Sequence, residues 1–561
     1  MHPYHSDMSD SQQCRSTKTC AGIALTLYVS LATAGDPCTE RFDDSELRTA
    51  EVAEIEGRPL EPDAEYTVAS IRIVRQQIFN TDDAAENRPL FRLANRWHVN
   101  TKEGTIRTLL LFGDGDKVDV SRLAETERAL RAKRFLYDAR VIANRVCGND
   151  VDIVVVTRDI WSLHPTASVT RTGGENEYDL GFSERNIFGT GVEVDAELFK
   201  TLDRSGASAG FTSPNLGNSR VGLGLRVENT DEGDGVLAFI GQPFYALDTR
   251  RAWNLTATTS ESRRRLYDAG EEISSFGLDY RRAVLSRGWS KGLVDGVANR
   301  LSLGATFEEW AFSDVPGSLP DLENREFAYP FVSFQRIGDD FSRVRNLNRV
   351  QTTEDVFLGR QYDLLLGYSP RQGHVVYNAA FRDGRSLRGE ISDILLYGAQ
   401  VAGFWNRDNG RAENLIAQVW ARYRRTQTPR WGLFVDAEAT VTDQLTPDQQ
   451  ILTGGDSGMR GYPNRFQAGA HRFRITAEER YYSGIYLWRV VRIAGAAFVD
   501  IGRAWDSARD NPVLANVGFG LRFESTRTDR GRVYHIDFAF PVVDRPGTRG
   551  VEITLTGKRS L

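Results

Sequence analysis

The amino-acid sequence predicts an all-β transmembrane barrel preceded by a small α/β domain. Three observations predict it. From Pro165 to the C-terminus, short runs alternate apolar and polar residues and are broken by Gly, Asn and Asp. An aspartate, Asp500, stands inside the apolar run Phe498 to Trp505, FVDIGRAW, where a charge is costly unless it faces a wet lumen or a partner. The chain opens on an export-type segment, yet no later stretch reaches about 18 uninterrupted apolar residues, so strands are expected to cross the bilayer.

Taken in chain order, Arg15 and Lys18 precede an apolar run from Cys20 to Ala32, and Ala32-Thr33-Ala34 fits a small-x-small cleavage site. Residues 1–34 are therefore read as a signal peptide, the alternative being a non-cleaved hydrophobic segment; Met8 is a second candidate start. Residues 35–64 are read as a linker. Cleavage leaves Cys38 and Cys147, for which a disulfide is open in an oxidising periplasm but not established by two cysteines alone. They are too few, and wrongly spaced, for a zinc site.

Residues 65–160 read as the α/β domain. Tyr66 to Arg75 alternates as a strand, with Val68, Ser70, Arg72 and Val74 on one face and Ala69, Ile71 and Ile73 on the other. Phe91 to Val99 and Ser121 to Arg131 have helical character. Ser121 is the expected N-cap of the second helix, and Leu123 and Leu130 its buried face. Arg140 to Val146 and Val151 to Thr157 make two strands around the turn Cys147-Gly148-Asn149-Asp150.

Residues 165–561 read as the barrel. In Arg472 to Tyr481 one face carries Arg472, Arg474, Thr476, Glu478 and Arg480, and the other Phe473, Ile475, Ala477 and Tyr481. Val517, Phe519, Leu521 and Phe523 share one face of the next clear run, and Tyr534, Ile536, Phe538 and Phe540 one face of another. A soluble sandwich would share this period. The export signal, and Trp161, Trp253, Trp310, Trp405, Trp420, Trp431, Tyr481 and Tyr482 near run ends, favour a membrane barrel with aromatic girdles. Pattern alone gives an even strand number between about 16 and 20.

Composition agrees. With 51 Gly, 3 Met and nine of the ten Trp from Trp161 onward, the chain favours strands and tight turns over helices. The net charge of −6 and the lack of a basic block argue against a nucleic-acid partner.

The loop Gly454 to Tyr462, GGDSGMRGY, places Arg460 on a Gly-rich tip. Together with Asp500 it suggests a loop held in the barrel lumen by an Arg–Asp contact. Two other readings of local motifs fail. Gly455-Asp456-Ser457-Gly458 looks like a protease nucleophile segment, but none of the seven histidines has a matching context. Asp114-Gly115-Asp116 through Asp119 is acidic, but lacks the spacing and closing Glu of a calcium loop. The chain is therefore read as a non-enzyme without cofactor or metal.

The run GDGDKVDVSRLAETERALRAKRFLYDARV, within a β-α-α-β-β order, resembles a polypeptide-transport-associated (POTRA) domain. Three anchors extend the resemblance: Gly458-Met459-Arg460-Gly461-Tyr462, Phe498-Val499-Asp500-Ile501-Gly502, and Asn186-Ile187-Phe188-Gly189-Thr190-Gly191. With the POTRA-like unit before them, they make Tyr66 to Leu561 similar to the superfamily of outer-membrane protein-assembly and translocation barrels, the bacterial surface antigen type. The resemblance implies 16 antiparallel strands, a POTRA-like domain in the periplasm and a lid loop folded into the lumen. It implies that Gly458, Arg460, Gly461 and Tyr462 form the lid motif and that Asp500 and Glu478 are its lumenal partners. It also implies a final strand Val551 to Leu561, although this chain ends in Leu where the family's assembly signal ends in Phe or Trp.

The implied function is guidance of client polypeptides to a lateral seam in the bacterial outer membrane, for insertion or translocation. Implied partners are membrane lipid, client polypeptides or nascent barrels, and periplasmic accessory proteins. Export of one dedicated secreted protein, and a passive channel or surface antigen, are the alternatives. A single POTRA-like unit, without a plug helix between Gly35 and Glu65, favours an accessory member of the superfamily.

Overall fold

The computed structural model describes residues 38–217, 219–315, 322–387, 392–528 and 532–559. The export segment and the terminal Leu561 lie outside the described residues.

The N-terminal unit is a four-stranded sheet in the order Lys117–Val118, Tyr66–Gln76, Asp150–Asp159, Leu136–Cys147. Tyr66–Gln76 runs parallel to Asp150–Asp159 and the other pairings are antiparallel. One sheet face buries Val68, Ile71, Ile153 and Val155 against Ile106, Leu123 and Leu130. A register shift between Val68 and Ser70 changes the phase of the first strand, so Val68 and Ile71 share a core that strict alternation would have split.

Other local expectations shift. The helix expected from Ser121 starts at Val120, because Asp119 is the cap: its carboxylate accepts the Arg122 amide at 2.7 Å. The helix at Pro89–Trp97 is followed by an unforeseen one, Glu103–Leu109, whose Ile106 and Leu109 are buried. The stretch read as a linker is structured. Asp43 and Glu46 form a capping box for the helix Asp44–Thr49. Leu47, Val52 and Ile55 then cover the second sheet face over Val74, Ile142, Val154 and Val156. Cys38 is disulfide-bonded to Cys147, with Cα atoms 4.6 Å apart, which ties this cover to the end of the edge strand.

From Leu163–Thr172 to Glu552–Arg559, 20 antiparallel strands close into one barrel. The 16 strands implied by resemblance are too few, whereas the upper end of the alternation count is right. Strands such as Ser205–Ser213 and Gly222–Thr230 are short and rich in Gly, Ser or Thr, so their apolar alternation is faint. The outward rows are apolar. Val517, Phe519 and Leu521 are exposed, while Asn516, Gly520, Arg522 and Glu524 face inward and are buried. That division suits a sheet with lipid outside and polar contacts inside.

The aromatic residues divide differently from the expected girdle. Trp253, Trp405 and Trp431 are exposed, and Trp431 packs at a tilt against Tyr481 across neighbouring strands, 4.9 Å between centroids. Trp310 packs with Tyr280 and Phe327, and Trp420 lines an interior chamber. Trp161 packs with Phe79 and Phe91 of the N-terminal unit, and Tyr482 is fully buried. Proximity to a run end does not give the face, which depends on the parity within each strand.

The N-terminal unit seats on one end of the barrel. The turn Asn186–Gly191 is the main socket. Gly189 accepts hydrogen bonds from the Lys102 amide and the Thr105 hydroxyl, both at 2.9 Å. A Cβ on Gly189 would lie 2.5 Å from the Asn100 carbonyl, and its φ of 73° is itself unfavourable to side chains. Asn186 donates to Thr101 at 2.8 Å, and the Thr101 amide and hydroxyl both donate to Asp159. Arg527, on a turn of the same end, pairs with Glu86.

Candidate functional site: the lid loop and the barrel seam

Between the strands Trp431–Asp443 and His471–Leu487 the chain leaves the barrel wall and returns, at the end opposite the N-terminal unit. Ile451–Thr453 and Gln467–Gly469 pair at the base of this loop. Gly455–Ser457 then makes one 3-10 turn, ending on Gly458 with φ 98°. A side chain at Gly458 would meet both that conformation and Arg474, 2.1 Å from its ideal Cβ. Ser457 is part of this turn, its hydroxyl accepting the Gly454 amide at 2.6 Å. Met459, Tyr462 and Leu514 are completely buried together, which anchors the loop below its tip.

Arg460 points into the lumen. Its Nε and one terminal nitrogen each donate to Asp500 at 2.8 Å, a fork-to-fork pair. The other terminal nitrogen donates to Glu478 at 3.2 Å and Asp537 at 3.1 Å. The guanidinium also lies 3.3 Å from the centroid of the Phe498 ring. Burial opposes the charge on Arg460, but the bonds and charges of Asp500, Glu478 and Asp537 outweigh it and raise its pKa.

The carboxylates are themselves fixed. Thr476 and Asn516 each donate to Asp500 at 2.8 Å. Arg522 donates to Glu478 at 2.9 Å and to Asp537 at 2.5 Å, and Arg480 donates to Glu478 at 2.6 Å. Three cations, Arg460, Arg480 and Arg522, thus meet three anions, Glu478, Asp500 and Asp537. Such a balanced, hydrogen-bonded cluster offsets the cost of taking six charges from water, whereas deleting one member leaves another uncompensated.

The structure therefore brings Arg460, Glu478 and Asp500 together, with Gly458, Gly461 and Tyr462 shaping the approach. Gly461 allows a close approach: its ideal Cβ would lie 2.7 Å from the Asn516 Cβ. The Tyr462 hydroxyl contacts the Ala515 carbonyl at 2.8 Å and the Val543 carbonyl at 3.2 Å. Asp537, Arg522, Asn516 and Phe498 are members that motif reading missed. Asp537 and Arg522 were nonetheless open to detection, since each lies on the face opposite the apolar rows Tyr534–Ile536–Phe538 and Val517–Phe519–Leu521.

The barrel closes weakly. The first strand, Leu163–Thr172, has ten paired positions with its sequence neighbour, and the last, Glu552–Arg559, has eight. Among the described residues they have one such position to each other, Leu555 opposite Arg171. Pro165 supplies no amide donor on the first strand. On the last, the Thr554 and Thr556 hydroxyls are buried without a hydrogen-bond partner among the described residues. The lid loop spans this seam from above: Asn464 donates to the Thr172 carbonyl at 2.9 Å and to Glu175 at 2.8 Å, while Tyr462 holds Val543 on the other side.

The opposite mouth has its own obstruction. Phe341–Arg345 and Thr353–Phe357 pair as a hairpin that does not join the wall. Glu354 accepts the amides of Leu347, Asn348 and Arg349 at 2.9 to 3.1 Å and so shapes the tip. Arg349 then donates to Glu524 at 2.8 Å, Arg492 to the Gln351 carbonyl at 2.6 Å, and Tyr482 to the Asn346 carbonyl at 3.0 Å. The other end of the hairpin meets the N-terminal unit through Asp355 and Arg131. Strand periodicity does not mark this hairpin, since Phe341 and Val344 stand three apart and Val356 and Phe357 are adjacent.

The sheet edge of the N-terminal unit is already occupied. The Ala143 and Asn144 carbonyls accept the Arg58 and Arg41 amides at 2.7 and 2.9 Å. Farther along, the Val141 amide donates to Glu127, and Arg131 donates to the Ala139 carbonyl. Strand addition on Leu136–Cys147 would have to displace these bonds.

No family model and no curated protein matches the chain. Solved structures similar to it include BamA from Haemophilus ducreyi lacking POTRA domains 1–3, with 12% identity, TM-score 0.38, and 88% of this chain and 84% of that chain covered. CdiB from Acinetobacter baumannii is similar at 10% identity and TM-score 0.44, over 88% of this chain and 73% of that one. CdiB from Escherichia coli is similar at 13% identity and TM-score 0.36, over 92% and 94%.

Proposed function

We propose that the protein is an outer-membrane assembly or insertion factor, which hands client polypeptides to the membrane through the seam between its first and last strands. The seam carries the reading, with a single paired position among the described residues. Every other wall junction is an extended ladder, so an opening sideways would cost least there. A client strand could then add to the freed edge by ordinary backbone hydrogen bonds. The N-terminal unit is proposed to act as a periplasmic POTRA-like module. Because its own edge is occupied by residues 41 and 58, its contribution is placement of the client near the mouth rather than strand pairing.

The lid supports the same reading. A loop tied into the lumen by Arg460, and also bonded to both sides of the seam, resists leakage and holds the seam shut at rest. A standing passive channel is disfavoured because the lid and the hairpin obstruct opposite ends of the lumen.

Depletion of the protein, followed by quantitative profiling of the outer membrane and the medium, tests the proposal. Loss of several barrel proteins is expected. Loss of one secreted protein alone would establish the exporter instead, and unchanged profiles would leave a channel or surface antigen.

A further inference from the structure

Between the helix Val120–Arg131, the hairpin and the barrel wall lies a chamber of about 890 Å³. Its lining carries nine Arg and Lys side chains against four Asp and Glu. The four acids are engaged: Glu125 accepts the Leu247 amide, Glu354 shapes the hairpin tip, Asp355 pairs with Arg131, and Asp383 accepts from Tyr397. Of the cations, Arg349 and Arg424 are paired with Glu524 and Asp436. Arg128, Lys133, Arg300, Arg382 and Arg422 have no carboxylate at ion-pair distance among the described residues.

Four of these five are held by rings instead. Arg128 lies 4.2 Å from the Phe341 centroid, Arg300 4.7 Å from Phe244, Arg382 5.0 Å from Phe357 and Arg422 5.0 Å from Trp420. Arg300 also donates to Gln335 and the Ala246 carbonyl, and Arg382 to Gln361, so the guanidinium edges offered to the chamber are chiefly those of Arg128 and Arg422. Burial pushes the Lys133 ammonium and the Arg128 guanidinium below their ordinary pKa ranges, as expected where positive charge is incompletely compensated.

We infer that this chamber is a binding site for an acidic, extended polypeptide segment. Its charge asks for carboxylates, and its stacked arginines present the forks that carboxylates fit. An anionic lipid fits less well, because the exposed apolar rows that would meet acyl chains lie on the other side of the sheet. The ligand class rests on the polypeptide-handling function proposed above, but the binding itself is measurable without it. The site would favour acidic segments during transfer and give the protein a charge preference among clients.

The test uses the full mature protein in non-ionic micelles. A fluorescein-labelled peptide alternating Glu with Gly and Ser is compared by anisotropy with its Lys counterpart. Saturable, salt-sensitive binding of the acidic peptide alone is expected. Arg422→Gln and Lys133→Gln should each weaken it about tenfold or more, the low end of the scale for one close charge pair at an interface. Arg422→Lys, which keeps the charge but loses the fork, should recover only part of the affinity, and Arg281→Gln, on an exposed strand position outside the chamber, should leave it unchanged. Lys133 lies in the N-terminal unit, so its variant carries the test if the Arg422 variants do not fold. Equal binding of the Lys peptide, indifference to Lys133→Gln, or binding of anionic phospholipid vesicles in place of the peptide would overturn the inference.

Discussion

Arg460 is the residue on which the lid depends, and its environment predicts how its loss would be felt. Arg460→Ala removes the fork on Asp500 and one bond each to Glu478 and Asp537. Breaking a buried pair by deleting one partner costs about 3–5 kcal/mol. The low end is expected here, because Thr476 and Asn516 still hold Asp500 and Arg522 still holds the other two acids. The barrel should keep its heat-modifiable mobility while trypsin gains access to Arg465 in the loosened loop. Asp500→Ala should do the same, and in a double-mutant cycle the two losses should be clearly less than additive. Asp537→Asn should reproduce part of the effect, although no motif marks it. Additive losses would mean that the lid is held by Met459 and Tyr462 packing rather than by charge. At this scale the sequence was legible where a charge interrupts an apolar run. Asp500 announces itself in FVDIG, and Glu478 by its row of polar neighbours. Arg522 and Asp537 stand in runs where Gly and Ala share the inner face, so nothing but parity singles them out.

Two elements differ most from the sequence reading, each for a physical reason. Residues 38–64 lack a long apolar pattern, yet Leu47, Val52 and Ile55 suffice to cover one sheet face. A cover this short is invisible to periodicity and is fixed by tertiary contact and the Cys38–Cys147 bond. Reduction should therefore release the cover from the edge at Ala143 and Asn144, read as faster exchange of the Arg41 and Arg58 amides, which donate to those carbonyls, than in the oxidised protein. The hairpin Phe341–Phe357 carries no apolar alternation that would mark it in the sequence, and it is kept out of the wall by its pairing with itself. Replacing 347–351 by a short Gly-Ser link should raise single-channel conductance in planar bilayers while leaving the barrel folded. An unchanged conductance would show that the lid alone closes the lumen. The lid also has a titratable outer tether. Burial disfavours the Asp203 carboxylate, but two hydrogen bonds from Arg465, at 2.6 and 2.8 Å, hold its pKa below the usual aspartate value. A depressed pKa means stabilisation that is present above the unfolded pKa of about 3.9 and is lost as pH falls through the folded value. Acidification below about pH 4 should thus loosen the tether, and Asp203→Asn should show the loosened state already at neutral pH, both read by trypsin cleavage after Arg465.

At the scale of the whole molecule, a barrel and a preceding α/β unit could be read from alternation, turn residues and the helix around Leu123 and Leu130. The number of strands could not, because Gly- and Ser-rich strands bury little and alternate weakly. Closure between residues 171 and 555 could not be read either, since it joins segments that have no neighbour in sequence to fix their register. That closure is where the proposed function is most exposed to test. Arg171 and Leu555 face each other across antiparallel strands, so cysteines at both positions can be oxidised into a cross-link. The cross-link removes lateral opening but leaves the lid cluster, the hairpin and the N-terminal unit untouched. If clients leave through the seam, Arg171→Cys/Leu555→Cys should lose assembly activity when oxidised and regain it on reduction, with each single variant active throughout. The same pair also reports on the lid. Arg460→Ala, by loosening the loop that binds Thr172 on one side and Val543 on the other, should slow cross-link formation as the two strands part more often. Full activity of the oxidised double variant would rule out lateral release. The client would then have to pass along the lumen, past a displaced lid and hairpin, as the exporter reading requires.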